Sequence, residues 1–331
     1  MSKIKNIDSL INYLNEDHNI KTNKLNDKKS LMNIGYYHGY KGYRFIKNPN
    51  NKINYSNFSQ ILSVNKFDMK LKALFYPNIM FIETALKNHV LEILLNETQT
   101  DCFNEIYELA LLDYKSYPLN SKDYKLSMKK RLNLRNQIYS VITRDYNGNK
   151  PVVQHFYHND RAVPIWAIFE IITLGEFGNF VTCLNQSIRK QVSKSLNLNQ
   201  SCDERGNLTE KIIYLLKDLR NSIAHNNVIF DTRFRTNNVS KSLIKCLELD
   251  TNIKNITFNT LVDYLILIVY MLKNLYIEKN ELSELITSFQ YSLDSFREEI
   301  EISTYTKIFY TDTKNKLNLL KEFVSKEKPC I

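Results

Sequence analysis

Arg220, Asn221 and His225 lie close together in the stretch LRNSIAHNN, and their side chains suit proton transfer on a phosphodiester. Histidine titrates near neutrality and can pass a proton to or from an oxygen. Arginine stays charged and matches a phosphate with a fork of donors. Such a set works without a metal. The bland alternative is an Arg220 paired with an acid and a His225 that is merely solvated.

These residues need a helix to align them, and Asn207–Asn227 has the pattern of one. Asn207 is placed as an N-cap with Glu210 three residues on, the spacing of a capping box. Asn226–Asn227 is the stop signal. At about 100° per residue, Ile212, Leu216, Leu219 and Ile223 form one apolar stripe. Lys217, Asp218, Asn221, Ala224 and His225 fall opposite it, with Arg220 on the flank. The small Ala224 leaves room there for another backbone.

Arg220-Asn221-x-x-x-His225 resembles the R-N-x-x-x-H motif of HEPN ribonucleases. Three further blocks resemble the Abi-type abortive-infection proteins (AbiD/AbiF-like) of that superfamily. IGYYHGYKGYRF (Ile34–Phe45) resembles their Tyr-rich N-terminal motif. FDMKLKALFYPNIMFIETALKNHV (Phe67–Val90) resembles their long first helix, with a Phe-Asp start and an Ile82-Glu83 pair. WAIFEIITLGEFGNFVTCL (Trp166–Leu184) resembles their Trp…Glu…Gly helix. The resemblance implies a HEPN-like helical bundle, metal-independent cleavage of RNA and a homodimer that brings two such helices together. Arg220, Asn221 and His225 would be its catalytic residues, with no cofactor.

Composition sets the frame. The chain has 331 residues, a formal net charge of +10 and only seven Gly and six Pro. Few breakers and long periodic runs predict a mainly α protein with a full core. The basic balance favours a polyanion such as RNA, although a Lys- and Asn-rich composition leaves much of that charge as solvated surface. Cys102, Cys183, Cys202, Cys246 and Cys330 never stand as CxxC, which argues against a disulfide framework or a zinc site. Residues 1–20 show no apolar signal region, and the apolar run Tyr264–Leu272 is too short to span a membrane. The expected compartment is the cytoplasm.

Three regions are expected: an aromatic-rich segment over 1–60, a helical core over 61–280 with a basic insertion near 100–160, and C-terminal helices over 281–331. Glu83 lies in a core-directed helix and needs a partner, either Arg220 or the local Lys87. Tyr37, His38, Tyr40, Lys41 and Arg44 mix rings with cations, which suits single-stranded RNA but equally suits a core or docking surface. Lys129, Lys130, Arg131 and Arg135 belong to a basic helix over Leu126–Tyr146, a candidate track for a phosphate backbone. Lys217, Arg233 and Arg235 lie close to the site in sequence and are expected RNA contacts. His158 shares a loop over Gly148–Arg161 with His155; no acid or Cys pattern accompanies the pair, so no metal is assigned and His158 is an expected RNA contact.

The leading expectation is a phage-defence endoribonuclease. The alternative is an RNA-binding defence protein held with a structured noncoding RNA, its HEPN site inactive or regulated. A toxin controlled by a nucleotidyltransferase antitoxin is disfavoured, because such toxins often carry Tyr two residues after the His, where this chain has Asn227. A purely structural helical protein is the remaining reading.

Overall fold

Long apolar periodicity with few breakers folds the described residues into fifteen α-helices and no strand. The computed structural model describes residues 6–326 except 24, 149 and 236. Cys330 and the outer ends of the first and last expected regions lie outside them. Cys102, Cys183, Cys202 and Cys246 are all free thiols. Among the described residues, no helix is long and apolar enough to cross a membrane.

The organising element is α3 (Phe58–Thr98), 41 residues long and so about 60 Å from end to end. The Asn57 side chain caps its start by accepting the Gln60 N–H, and left-handed Gln99 closes it. Pro77 lies inside α3 on the solvent side, where the carbonyl freed by its missing N–H can be hydrated. The buried face of α3 carries Phe67, Leu71, Phe75, Ile79, Ile82, Leu86, Val90 and Leu94. Against it pack α10 (Leu208–Ala224), α12 (Leu261–Asn274) and α13 (Lys279–Glu299). The α12 helix is apolar on nearly every side and is buried almost throughout. Phe67 of α3 stacks on Phe296 of α13 with centroids 4.2 Å apart.

The C-terminal helices share this core. Buried Lys316 of α15 (Thr313–Ser325) pairs with Asp263 of α12 at 2.9 Å and donates to the Asn255 carbonyl at 2.8 Å. The α8 helix (Leu174–Cys183) packs on α10 and also touches α3, and α5 (Lys122–Asn147) packs on α8 in turn.

Several elements differ from the sequence expectation. The Trp166–Leu184 stretch is not one helix: it breaks before Thr173, which forms a capping box with Glu176 and starts α8. Gly175 and Gly178 lie inside α8 and let α10 approach; a Cβ on Gly178 would stand 3.0 Å from the Tyr214 ring. The expected loop over 148–161 contains α6 (Pro151–Tyr157), opened by a proline at its first position, where the missing N–H costs little. Within the expected basic insertion, α4 (Phe103–Leu109) and a short 3-10 turn over Asp113–Ser116 precede α5. The expected C-terminal helices include α14 (Ile302–Ile308) and α15.

The start of α10 also differs. Asn207 makes no side-chain cap. Buried Asp203 caps instead: one carboxylate oxygen accepts the N–H groups of Asn207 at 2.6 Å and Leu208 at 3.1 Å. Its other oxygen accepts the Ser193 hydroxyl at 2.7 Å. Asp203→Ala is therefore expected to cost about 1 kcal/mol or more, and Asn207→Ala only a few tenths. Chemical denaturation of both variants checks this; equal losses would place the cap elsewhere.

Candidate functional site

The apolar stripe of α10 turns inward as its period requires, with Leu208, Ile212, Ile213, Leu215, Leu216 and Leu219 buried. Burying each is worth about 1.5–3 kcal/mol as an upper estimate. That stripe fixes the rotation of the helix and leaves Ala224 and His225 exposed, with Arg220 and Asn221 half-buried.

His225 caps the C-terminus, its N–H bonded to the Asn221 carbonyl at 3.0 Å. Asn226 follows in the left-handed conformation at φ 52°, which asparagine tolerates better than most residues. The Asn227 N–H returns to the Ser222 carbonyl at 2.7 Å, the bond expected of a Schellman-type stop. These local bonds shape the end of the helix and with it the His225 backbone.

Glu83 of α3 meets both partners expected for it. Lys87 lies 3.1 Å from one oxygen and the Arg220 Nε 3.5 Å from the other. The Arg220 Nη1 is 3.4 Å from the Asn221 Oδ1, a long bond. The carboxylate faces the Nε side of Arg220 as an ion pair without a hydrogen bond, so terminal N–H groups remain for an anion.

A second network locks the chain beyond α10. Asp68 of α3, wholly buried, accepts the Ile229 and Phe230 N–H groups at 2.8 and 2.7 Å on one oxygen. Its other oxygen takes the Tyr43 hydroxyl at 3.1 Å and Lys72 at 2.7 Å. Lys72 also donates to the Asn226 Oδ1 at 2.9 Å. Sequence reasoning missed Asp68, Lys72 and Asn226. The available signal was two opposite charges four apart beside the buried Phe67, Leu71 and Phe75.

The Tyr-rich segment folds against this network. It ends α2 (Asn26–Tyr36) in a π turn over Tyr37–Lys41. Arg233 clamps it by donating to the carbonyls of Gly42 at 2.8 Å and Phe45 at 2.6 Å while pairing with Asp231 at 2.7 Å. The Asp231 carboxylate also accepts the Lys47 N–H at 2.6 Å. Tyr40 is buried; Tyr37 and Lys41 face solvent, and Arg44 is half-buried.

His38 reaches the end of α10, with its Nε2 3.4 Å from the Asn226 amide nitrogen. Burial, then the Lys72 charge, pushes the His38 pKa down, against an upward pull from Asp68. A neutral ring nitrogen can accept from that amide. Burial likewise lowers His89, whose Nδ1 is 3.0 Å from the Ser195 hydroxyl. Unfolding restores an ordinary pKa of about 6.5, so the unfolded chain binds more protons in mild acid. Stability from these groups is therefore expected to fall as pH drops through about 6.5. In urea unfolding, His38→Gln should flatten that fall; an unchanged slope would exclude His38 as a contributor.

The remaining candidate residues divide by environment. Arg131 is buried over the Tyr107 ring at 3.6 Å and bonded to the Tyr107 carbonyl at 2.8 Å, so it is tied into the interior. Lys129, Lys130 and Arg135 are exposed on α5, a helix that α8 separates from α10. His158 is exposed beside Tyr146. Lys217 pairs with Asp218 at 3.1 Å. Arg235 donates to the Thr257 carbonyl at 2.8 Å and the Asn259 side chain at 2.7 Å. Lys217 and Arg235 line one shared cavity beside α10.

In comparison with known proteins, residues 29–231 match the family described as Abi-like protein. No curated protein and no solved structure matches the chain.

Proposed function

This chain belongs to the Abi-like protein family, and we propose that it acts in abortive-infection defence as a metal-independent endoribonuclease of the HEPN type. One observation carries this reading: exposed His225 at a fixed helix end, with Arg220 on the same helix held to a buried carboxylate by only one side of its guanidinium.

The chemistry is transesterification within the RNA. The 2′-oxygen attacks the adjacent phosphorus and loses its proton to a base, and the bond to the 5′-oxygen breaks as that oxygen gains a proton from an acid. The products are a 2′,3′-cyclic phosphate and a 5′-hydroxyl. His225 is assigned one of the two proton transfers. Arg220 stabilises the charge that gathers on the phosphoryl oxygens, and Asn221 orients the imidazole or a phosphate oxygen. The second proton transfer is assigned to His225 of a second copy, brought in over the exposed Ala224 face.

The test is incubation of the purified protein with end-labelled RNA in EDTA, with the product ends identified. Cleavage that leaves cyclic phosphates is the expected result. Cleavage that needs a divalent metal, or leaves 5′-phosphates, would overturn the mechanism. The exposed cations Lys129, Lys130 and Arg135 on α5 favour a second reading, in which a structured noncoding RNA is held on that helix and regulates the site. RNA extracted from the purified protein would then be one discrete species.

A further inference from the structure

We propose that the cavity beside the middle of α10 is a nucleotide subsite, which takes one residue of a single-stranded RNA adjoining the one cut at His225. This rests on the ribonuclease reading for the cut, although the cavity itself is defined by geometry alone. Its volume is about 240 Å³, and its walls include Lys211, Tyr214, Lys217 and Asp218 of α10, Arg235 of the following loop and Leu243 of α11 (Lys241–Thr251).

Its position follows from the helix register. Asp218 and His225 are seven residues apart, so they differ by only about 20° around the axis and lie about 10 Å apart along it. The cavity therefore opens on the same face of α10 as His225. An RNA strand with its phosphate between Arg220 and His225 would pass the cavity within an adjoining nucleotide's reach.

The chemistry fits a nucleotide better than a bare anion. Three cations stand against one carboxylate. Lys211 gives one donor to the Ser242 hydroxyl at 2.9 Å and Lys217 one to Asp218. An ammonium has three N–H groups and a guanidinium five, so each keeps donors for a phosphate. Tyr214 supplies a fixed ring. Its hydroxyl donates to the Asn179 side chain at 2.7 Å, and its edge rests on Gly178, where a Cβ would stand only 3.0 Å from the ring. The Lys217 ammonium lies 5.4 Å from the ring centroid. A held ring flanked by lysines, with Leu215 and Leu243 as apolar wall, gives stacking to a base and charge to its phosphate together. Lys217 and Arg235 reach this cavity from separate segments, and Lys211 joins them only through the helical register.

The experiment measures binding without cutting. A fluorescent single-stranded RNA with 2′-O-methyl sugars lacks the attacking hydroxyl and serves as probe for the full chain. Lys211→Ala with Lys217→Ala, and separately Tyr214→Leu, are each expected to weaken binding roughly tenfold. Tyr214→Phe should retain most of it, which separates stacking from loss of the hydroxyl. Neutralising two exposed lysines elsewhere, Lys254→Ala with Lys314→Ala, should change little. Equal losses from that control pair would reduce the cavity to general surface charge and overturn the proposal. RNA binding unmoved by the cavity variants, but loss of binding to a polyglutamate peptide, would overturn it in favour of an acidic protein partner. The two readings fail separately. Wild-type cleavage with unaffected probe binding would sink the subsite alone, whereas cavity-dependent binding with no cleavage of ordinary RNA would sink the ribonuclease and leave the subsite.

Discussion

His225→Ala is expected to reduce RNA cleavage by roughly 10²–10⁴-fold, the range for loss of a positioned general acid or base. Stability should change by no more than about 0.5 kcal/mol, because the side chain is exposed and only its backbone participates in the helix stop. That separation makes the variant informative: a loss of activity cannot be assigned to a loss of fold. Arg220→Lys tests the other half of the site. Lysine retains the charge but not the fork, and it can satisfy Glu83 only by withdrawing its single ammonium from the phosphate. Cleavage should fall sharply in Arg220→Lys while RNA binding persists. Retention of full metal-independent cleavage by His225→Ala would move the chemistry away from the end of α10 altogether. The measurement is single-turnover cleavage of labelled RNA in EDTA, with thermal unfolding of each variant alongside.

The α10 helix shows why part of this site was legible in the sequence. Its stripe has the helical period, and once Ile212, Leu216 and Leu219 turn inward, the polar face is determined. The Glu83–Arg220 contact was also reachable, since a carboxylate in a buried stripe must find a cation. The long reach of α3 and the apolar belt of α12 follow from the same periodicity. Capping was less legible. Asn207 stands where a cap should, yet Asp203, four residues earlier and folded back by a turn, takes those N–H groups. The Tyr-rich segment was least legible, because its role depends on contacts between positions far apart in sequence. Arg233 looked like a free cation near the site, but Asp231 and the carbonyls of Gly42 and Phe45 take its donors. His38 reaches Asn226 across 188 positions. No local pattern encodes such a pairing.

Asp68→Ala is expected to destabilise the fold by about 3–5 kcal/mol, the cost of breaking a buried pair by removing one partner. Four donors converge on this carboxylate: Ile229 N–H, Phe230 N–H, the Tyr43 hydroxyl and Lys72. Alanine would leave Lys72 as a buried cation with only the Asn226 oxygen and a weak sulfur contact at Met69. It would also strand two buried backbone donors. Asp68→Asn separates these costs, since its amide oxygen can still accept from the backbone while the charge is lost. Its loss should be smaller, and Asp68→Asn with Lys72→Met should recover part of it by removing the unpaired cation. Urea unfolding of the wild type and these three variants checks the order; a loss below about 1 kcal/mol for Asp68→Ala would show that the carboxylate does not hold the network. The functional consequence follows from the same bonds. Asp68 ties the chain from Ile229 onward to α3, and Lys72 ties Asn226 to it, so the residue next to His225 is fixed from below. Asp68→Asn should therefore lower cleavage more than it lowers the folded fraction, because a loosened Asn226 lets the imidazole drift from the geometry that proton transfer requires.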